Sequence, residues 1–315
     1  MAKPFRLGLI GARGYVGSEL IRLIQAHPNI ELAYVSSRER EGQLLTDFEN
    51  SAPAGMRYVN FNPEQAFEQS ADVVVLALPN NLAVHWASVF DVKQSNALLI
   101  DLSADYRFDS NWFYGLPELT RSVYQGQRRI SNPGCYATAM QLAIAPMREY
   151  LAGAVQCFGV SGYSGAGTTP SDKNDPQKLT DNLMPYALVN HIHEREVASK
   201  MACDVHFMPH VASHFRGLSI TTNMQLKQSL EIEFIKQRYQ QAYKNEAFVT
   251  VVDEAPWVTR VINTPNAIVG GFTLSENGQR LVVVSVLDNL LKGAASQALQ
   301  NINLALKLPE TQGIL

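Results

Sequence analysis

One cysteine in this chain stands where a thiol can be made to react. Cys135 follows Ser131-Asn132-Pro133-Gly134 and precedes Tyr136-Ala137-Thr138. Proline and glycine break the structure before it, and an apolar helical run begins after it. The sulfur therefore falls at or near a helix N-terminus, where the dipole and unsatisfied N–H groups favour thiolate over thiol. A thiolate is a strong nucleophile toward acyl carbon, and the same N–H groups can hold the oxyanion of a tetrahedral intermediate. Cys157 and Cys203 lie beside strand-like runs and read as structural. The spacing of the three cysteines matches neither a zinc pattern nor a disulfide framework. No metal site is expected, and a reducing cytoplasm is the natural setting.

A second group of residues has a different chemistry. Gly11-Ala12-Arg13-Gly14-Tyr15-Val16-Gly17 follows a strand-like run and opens a helical one. Glycines there allow a tight turn and close approach of backbone to a pyrophosphate, while the helix N-terminus supplies free N–H groups. The spacing is GxxGxxG rather than the commoner GxGxxG, and the competing account is a plain strand–helix turn. The next strand run ends in Ser36-Ser37-Arg38. Hydroxyls and a guanidinium suit a 2′-phosphate, whereas a carboxylate at that point would repel one, so NADP(H) is expected over NAD. Arg107, just beyond the apolar run 97–102, lies where open α/β sheets present their ligand crevice, and its fork matches phosphate oxygens. A surface salt bridge is its alternative reading.

These groups need a scaffold. Residues 5–10, 31–35, 72–78 and 97–102 read as strands, with helices over 15–26 and 82–90. The alternation predicts an α/β chain with a doubly wound parallel-sheet dinucleotide-binding domain over 1–133. After that the pattern changes. A helix is expected over 137–151, a glycine-rich stretch over 159–167, and strands over 204–211, 218–226, 248–253, 267–274 and 281–287. The last two flank Asn277-Gly278, a hairpin signal. Residues 134–288 are thus expected to form an α+β catalytic domain with a mixed or antiparallel sheet, followed by a helix over 293–306.

The 315 residues suit two domains, and 46% hydrophobic with 17% charged residues is ordinary for a globular enzyme. A net charge of −3 with no Lys/Arg block points away from nucleic acid and from membrane surfaces. No apolar run is long enough to span a bilayer.

The segments GARGYVGSEL, DLSADYRF, YGLPEL, NPGCYATA, SGYSGAG, FMPH…FRG and DNLLKGAASQA resemble the N-acetyl-γ-glutamyl-phosphate reductase family of arginine biosynthesis. They occur in the family's order and span nearly the whole chain. The glycine loop and cysteine turn are shared with the wider group that holds aspartate-semialdehyde and glyceraldehyde-3-phosphate dehydrogenases. The resemblance implies an NADP-dependent acyl-phosphate reductase with Cys135 as nucleophile, working through a thioester. The family's HRHxPEI stretch reads here His191-Ile192-His193-Glu194-Arg195-Glu196-Val197. Both histidines stand, and Ile192 and Arg195 depart from the pattern. His193 is the expected acid/base and His191 a substrate-binding or orienting group; being two residues apart, they are expected to face different ways. Arg107, Asn132, Ser164, Gly165 and Arg216 are the expected substrate residues, with His210 and His214 near Arg216. The resemblance further implies a small acyl-phosphate substrate, a homo-oligomer (dimer or tetramer), and a C-terminal segment over about 289–315 that returns to the cofactor domain. Three rivals remain: another acyl-phosphate reductase such as aspartate-semialdehyde dehydrogenase, a Cys/His hydrolase or acyltransferase, and a non-enzymatic nucleotide-binding regulator.

Overall fold

A computed structural model describes residues 3–315, and they form two units. One runs up to Pro133 and includes Ala294–Leu315; the other is Gly134–Gly293. The strands of the first are β1 (Phe5–Ile10), β2 (Ile30–Ser36), β3 (Tyr58–Val59), β4 (Val73–Leu76), β5 (Leu98–Asp101), β6 (Phe113–Tyr114) and β7 (Arg129–Ser131). Those of the second are β8 (Val155–Gly162), β9 (Leu183–Pro185), β10 (Val205–Ala212), β11 (Leu218–Gln225), β12 (Val249–Val251), β13 (Ala267–Leu274) and β14 (Arg280–Leu287). The helices in chain order are α1 (Tyr15–Gln25), α2 (Pro63–Glu68), α3 (Ala83–Val92), α4 (Pro117–Thr120), α5 (Cys135–Ile144), α6 (Pro176–Leu179), α7 (Ile192–Met201), α8 (Ile232–Tyr243) and α9 (Ser296–Ala305).

The first unit is a seven-stranded sheet in the order β3-β2-β1-β4-β5-β7-β6, and every pair is parallel. Its central strands are apolar throughout because both faces are covered. Val73 and Val75 of β4 pack with Leu20, Ile21 and Ile24 of α1 and with Leu299 and Ile302 of α9. Val74 and Leu76 point the other way, into the group around Ala83, Ala87 and Phe90 of α3. The order reverses between β1 and β4, so the ligand crevice of such a sheet opens beyond the C-terminal ends of these strands. The C-terminal tail is held by side chains: Asn303 donates to the carbonyls of Glu310 and Gln312, and the buried His27 meets Asn303 Oδ1 at 3.1 Å.

The second unit is a mixed sheet, β12-β13-β14-β11-β8-β10-β9. Strands β8 and β11 mostly alternate buried with more exposed residues, so one face carries most of the core. Val155, Cys157, Ile220, Met224, Leu281 and Val283 on that face share one core with α5, α7 and α8. On the other face Ile268 of β13 and Val286 of β14 are buried with Val261. Asn277-Gly278 does turn a hairpin: β13 pairs antiparallel with β14 on either side of it.

Three of the expected elements take a different form, and others, such as α7 and α8, are not expected from the sequence at all. The glycine-rich stretch 159–167 is partly a strand, because Gly159 to Gly162 complete β8. The helix expected over 137–151 begins at Cys135 and gives way to a 3-10 turn, Ala145–Tyr150, where Pro146 cannot continue the α-helical ladder. The final helix is entered through a π-helical turn, Leu291–Ala295.

Candidate active site

Gly11 takes φ +80°, and a Cβ there would meet the Ala77 carbonyl oxygen at 2.1 Å, so only glycine makes the turn from β1. Gly14 is the N-cap of α1 in extended conformation, and no side chain caps the helix. Tyr15, Val16 and Gly17 form its first turn. An 11-residue helix whose N-terminus is left without a side-chain cap at the sheet's switch point fits the pyrophosphate of a dinucleotide. The loop is anchored by the amides of Gly11 and Ala12, both donating to the Ser36 carbonyl at 3.0 and 3.1 Å. Ser36 and Ser37 are buried at the end of β2, and Arg38 is exposed. The residue after it, Glu39, approaches both Arg13 and Arg38.

The DLSADYR segment brackets this edge of the sheet. Asp105 accepts from the amides of Asn81 and Ala83, closing the start of α3, and Ala104 donates to Asn80 Oδ1 at 2.9 Å. Arg107 is buried. Its Nε donates to the Asn132 carbonyl at 3.0 Å and its Nη2 to the Leu102 carbonyl at 3.1 Å, so it ties the end of β5 to the segment after β7. The Asn132 side chain accepts from Asn301 Nδ2 at 2.9 Å and donates toward the Ala294 carbonyl at 3.4 Å. In this structure Asn132 is a strut for the C-terminal helix.

In the second unit, Cys135 is the first residue of α5 and is partly exposed, while the nine residues after it are all buried. No Gly134 side chain exists to cap the helix, and a distant residue does related work. Glu196 of α7, fully buried, accepts from the Gly134 amide at 3.0 Å. On the other side, Gly293 in the π turn lies against Cys135. A Cβ on Gly293 would stand 2.6 Å from Cys135 Cβ.

Both histidines gather on the residue after the cysteine. The Tyr136 ring centroid is 6.4 Å from His191 and 6.0 Å from His193, and the two imidazoles are 4.9 Å apart. They do not face different ways. His191 is the N-cap of α7, in non-helical conformation, and its Nδ1 accepts from the His193 amide at 3.1 Å. The two-residue spacing therefore crosses a helix start rather than a strand. Tyr186, 5.6 Å from His191, completes the cluster. Burial holds the phenols of Tyr136 and Tyr186 well above their ordinary range, with the nearby Cys135 charge adding to the effect in both. Arg195 is exposed, and its amide donates to the His191 carbonyl at 3.3 Å, a bond that the family's proline cannot make.

Arg216 is buried against Asp288, with Nε to Oδ2 at 2.7 Å and Nη2 to Oδ1 at 3.1 Å. Asn289 joins this to the glycine-rich turn: it accepts from the Gly217 amide at 2.6 Å and donates to Ser164 Oγ at 2.9 Å. Gly165 follows in the same 3-10 turn, Tyr163–Ala166. His210 and His214 are turned to main-chain carbonyls, of Met208 and Gly217. Sequence reading missed Glu196, Asp288, Tyr186, Gly293 and Glu39. The PEI position of the histidine motif pointed to Glu196, and the DNLLKGAASQA segment contains Asp288 and Gly293 without showing what they meet; nothing local marks Tyr186 or Glu39. Among the described residues no group of His, Cys, Asp or Glu has metal-binding geometry, and no helix is long and apolar enough to cross a membrane.

Comparison with known proteins places these features in context. Residues 6–127 match the semialdehyde dehydrogenase NAD binding domain, and residues 135–289 match the semialdehyde dehydrogenase dimerisation domain. N-acetyl-gamma-glutamyl-phosphate reductase of Xanthomonas campestris pv. campestris (strain 8004) is 57% identical over 312 residues, covering 99% of each chain. The proteins of that name from Stenotrophomonas maltophilia and Xylella fastidiosa are 57% and 54% identical over 310 residues; both alignments cover 98% of this chain, with 98% and 95% of theirs. Among solved structures, aspartate semialdehyde dehydrogenase from Francisella tularensis superposes with a TM-score of 0.77 at 21% identity, covering 96% of this chain and 100% of that one. Aspartate semialdehyde dehydrogenase with NADP from Candida albicans superposes at 0.75 and 16% identity, covering 97% of this chain and 99% of that one. At such identities these two speak for the fold alone.

Proposed function

Since the chain belongs to the N-acetyl-γ-glutamyl-phosphate reductase family of semialdehyde dehydrogenases, we propose that it reduces N-acetyl-γ-glutamyl phosphate to N-acetylglutamate 5-semialdehyde, with release of phosphate, in arginine biosynthesis. The observation that carries this reading is Cys135 at the head of the buried helix α5, with two histidines gathered on the adjacent Tyr136. The cofactor is NADP(H), held by the loop Gly11 to Gly17 with its 2′-phosphate toward Ser36, Ser37 and Arg38.

The chain's own residues then act in order. The Cys135 sulfur attacks the acyl carbon, and the carbon–oxygen bond to phosphate breaks with its electron pair leaving on phosphate. The acyl group stays on the enzyme as a thioester, which turns a difficult encounter into an intramolecular one. When bound, NADPH supplies the hydride that reduces this thioester to a thiohemiacetal. Amide groups at the start of α5 stabilise negative charge on the substrate oxygen. His193 gives the proton and takes it back as the thiolate is expelled and the aldehyde leaves. His191, whose Nδ1 is occupied by the His193 amide, orients the substrate. Arg107 and Arg216 are the groups proposed for its anionic ends, each held in a fixed pose by buried acceptors, with Ser164 and Gly165 lining the acyl chain. The biosynthetic role of the relatives supports a cytoplasmic setting, and the dimerisation-domain match supports a homo-oligomer, a dimer or tetramer.

The test runs the reaction backward: NADP-dependent oxidation of N-acetylglutamate semialdehyde in the presence of phosphate, with aspartate semialdehyde as control. Turnover of the acetylated substrate and little of the control is expected. The reverse preference would make the chain an aspartate-semialdehyde dehydrogenase. Cys135→Ser should lose most activity while NADPH still binds; near-normal turnover in that variant would refute the thioester route.

A further inference from the structure

The turn after β2, beside the cofactor loop, contains an acid that its neighbours make conspicuous. Glu39 Oε2 lies 3.6 Å from Arg13 Nε, and Oε1 lies 3.7 Å from Arg38 Nη2. Arg13 comes from the glycine loop and Arg38 from the turn after β2, so two guanidiniums from separate segments converge on one carboxylate. The nearby Arg40 is committed elsewhere. Its guanidinium stacks 3.8 Å from the centre of the Phe48 ring, and Nη1 donates to the Tyr58 hydroxyl at 3.0 Å. The Glu39 carboxyl is held below its usual range, by its own backbone N–H first and then by Arg13 and Arg38, so it is an anion at working pH.

Both ion pairs are long and wet: the side chains of Arg38 and Glu39 are 84% and 49% exposed. Such pairs are weak and screened by salt. A phosphate monoester carries up to two negative charges and three acceptor oxygens, and it suits a pair of guanidiniums better than a carboxylate does. A ribose 2′-hydroxyl is a hydrogen-bond donor and suits a carboxylate.

We propose that Glu39 is a cofactor-specificity residue whose carboxylate sits in the 2′-phosphate seat between Arg13 and Arg38. NADP(H) binds by displacing it, and NAD(H) binds with it in place, its 2′-hydroxyl donating to the carboxylate. The chain's preference for the phosphorylated cofactor is therefore lower than its two arginines alone would confer. This inference rests on the reading that the dinucleotide lies along Gly11 to Gly17 with its ribose at the end of β2.

The experiment is direct titration of the whole protein with NADPH and with NADH, following nicotinamide fluorescence, for wild type, Glu39→Gln and Arg38→Ala. Glu39 is a surface residue, so Glu39→Gln should fold normally. Removing a weak exposed competitor is expected to tighten NADPH about three- to tenfold and to leave NADH unchanged or weaker. The gain should shrink at high salt. An unchanged NADPH-to-NADH ratio in Glu39→Gln, or weaker NADPH binding, overturns the inference. Arg38→Ala keeps that failure separate from failure of the underlying reading. If it weakens NADPH more than NADH, the 2′-phosphate is at this seat whatever Glu39 does. If it changes neither, the ribose lies elsewhere and both readings fall.

Discussion

At the scale of single residues, the turn that carries Cys135 is tied to a carboxylate 61 positions along the chain. Glu196 accepts the Gly134 amide, the N–H just ahead of Cys135, in a fully buried setting. A buried N–H stripped of its acceptor costs about 1–3 kcal/mol. Glu196→Ala is expected to lower thermal stability by that order and to reduce kcat at least tenfold, by loosening the turn that aims the sulfur. Glu196→Gln keeps an acceptor oxygen and should recover most of both. A melting curve and kcat measured on the pair check it; if both variants match wild type, Glu196 has no positioning part. Cys135 itself was legible from its flanking Pro133-Gly134 and the apolar run after it, because a helix start is a local event. Glu196 lies on another helix, and only tertiary contact brings it to that start.

At the scale of elements, the π turn Leu291–Ala295 explains a glycine whose reason is invisible in the sequence. Gly293 has ordinary neighbours along the chain, Lys292 and Ala294, yet a methyl group there would enter the space of Cys135 Cβ. Gly293→Ala is expected to displace the cysteine by several tenths of an ångström. Overpacking of that kind costs about 1–3 kcal/mol, and misplacing a reacting group lowers rate far more than binding. kcat should fall at least tenfold with NADPH affinity unchanged, as read by turnover and by cofactor titration on one preparation. The histidine pair teaches the same lesson. Spacing by two predicts opposite faces along a strand; the N-cap conformation of His191 instead turns both rings toward Tyr136.

At the scale of the whole molecule, the second sheet has one face covered by helices and a second face that is covered only in part, where Val261 packs on Ile268 and Val286. Phe158 and Val282 lie among its outward positions, and Phe158 is 40% exposed beside His210, with ring centroids 4.6 Å apart. A large apolar side chain on the uncovered part of a sheet face, within a segment that matches a dimerisation domain, is where a second copy is expected to pack. Phe158→Asp should shift the protein to a smaller species in size-exclusion chromatography with light scattering, without loss of secondary structure. An unchanged mass would put the interface on another surface.

Local and periodic signals carried much of this protein. Alternating apolar runs announced the parallel sheet, the glycine loop its turn, Asn277-Gly278 its hairpin and Cys135 its helix start, because each depends on residues within a few positions of one another. Folding alone decided which distant groups would meet: Glu196 with Gly134, Gly293 with Cys135, Asp288 with Arg216, Glu39 with Arg13. Those pairings depend on burial and on chain segments returning from far away, and neither composition nor spacing along the chain encodes such an encounter.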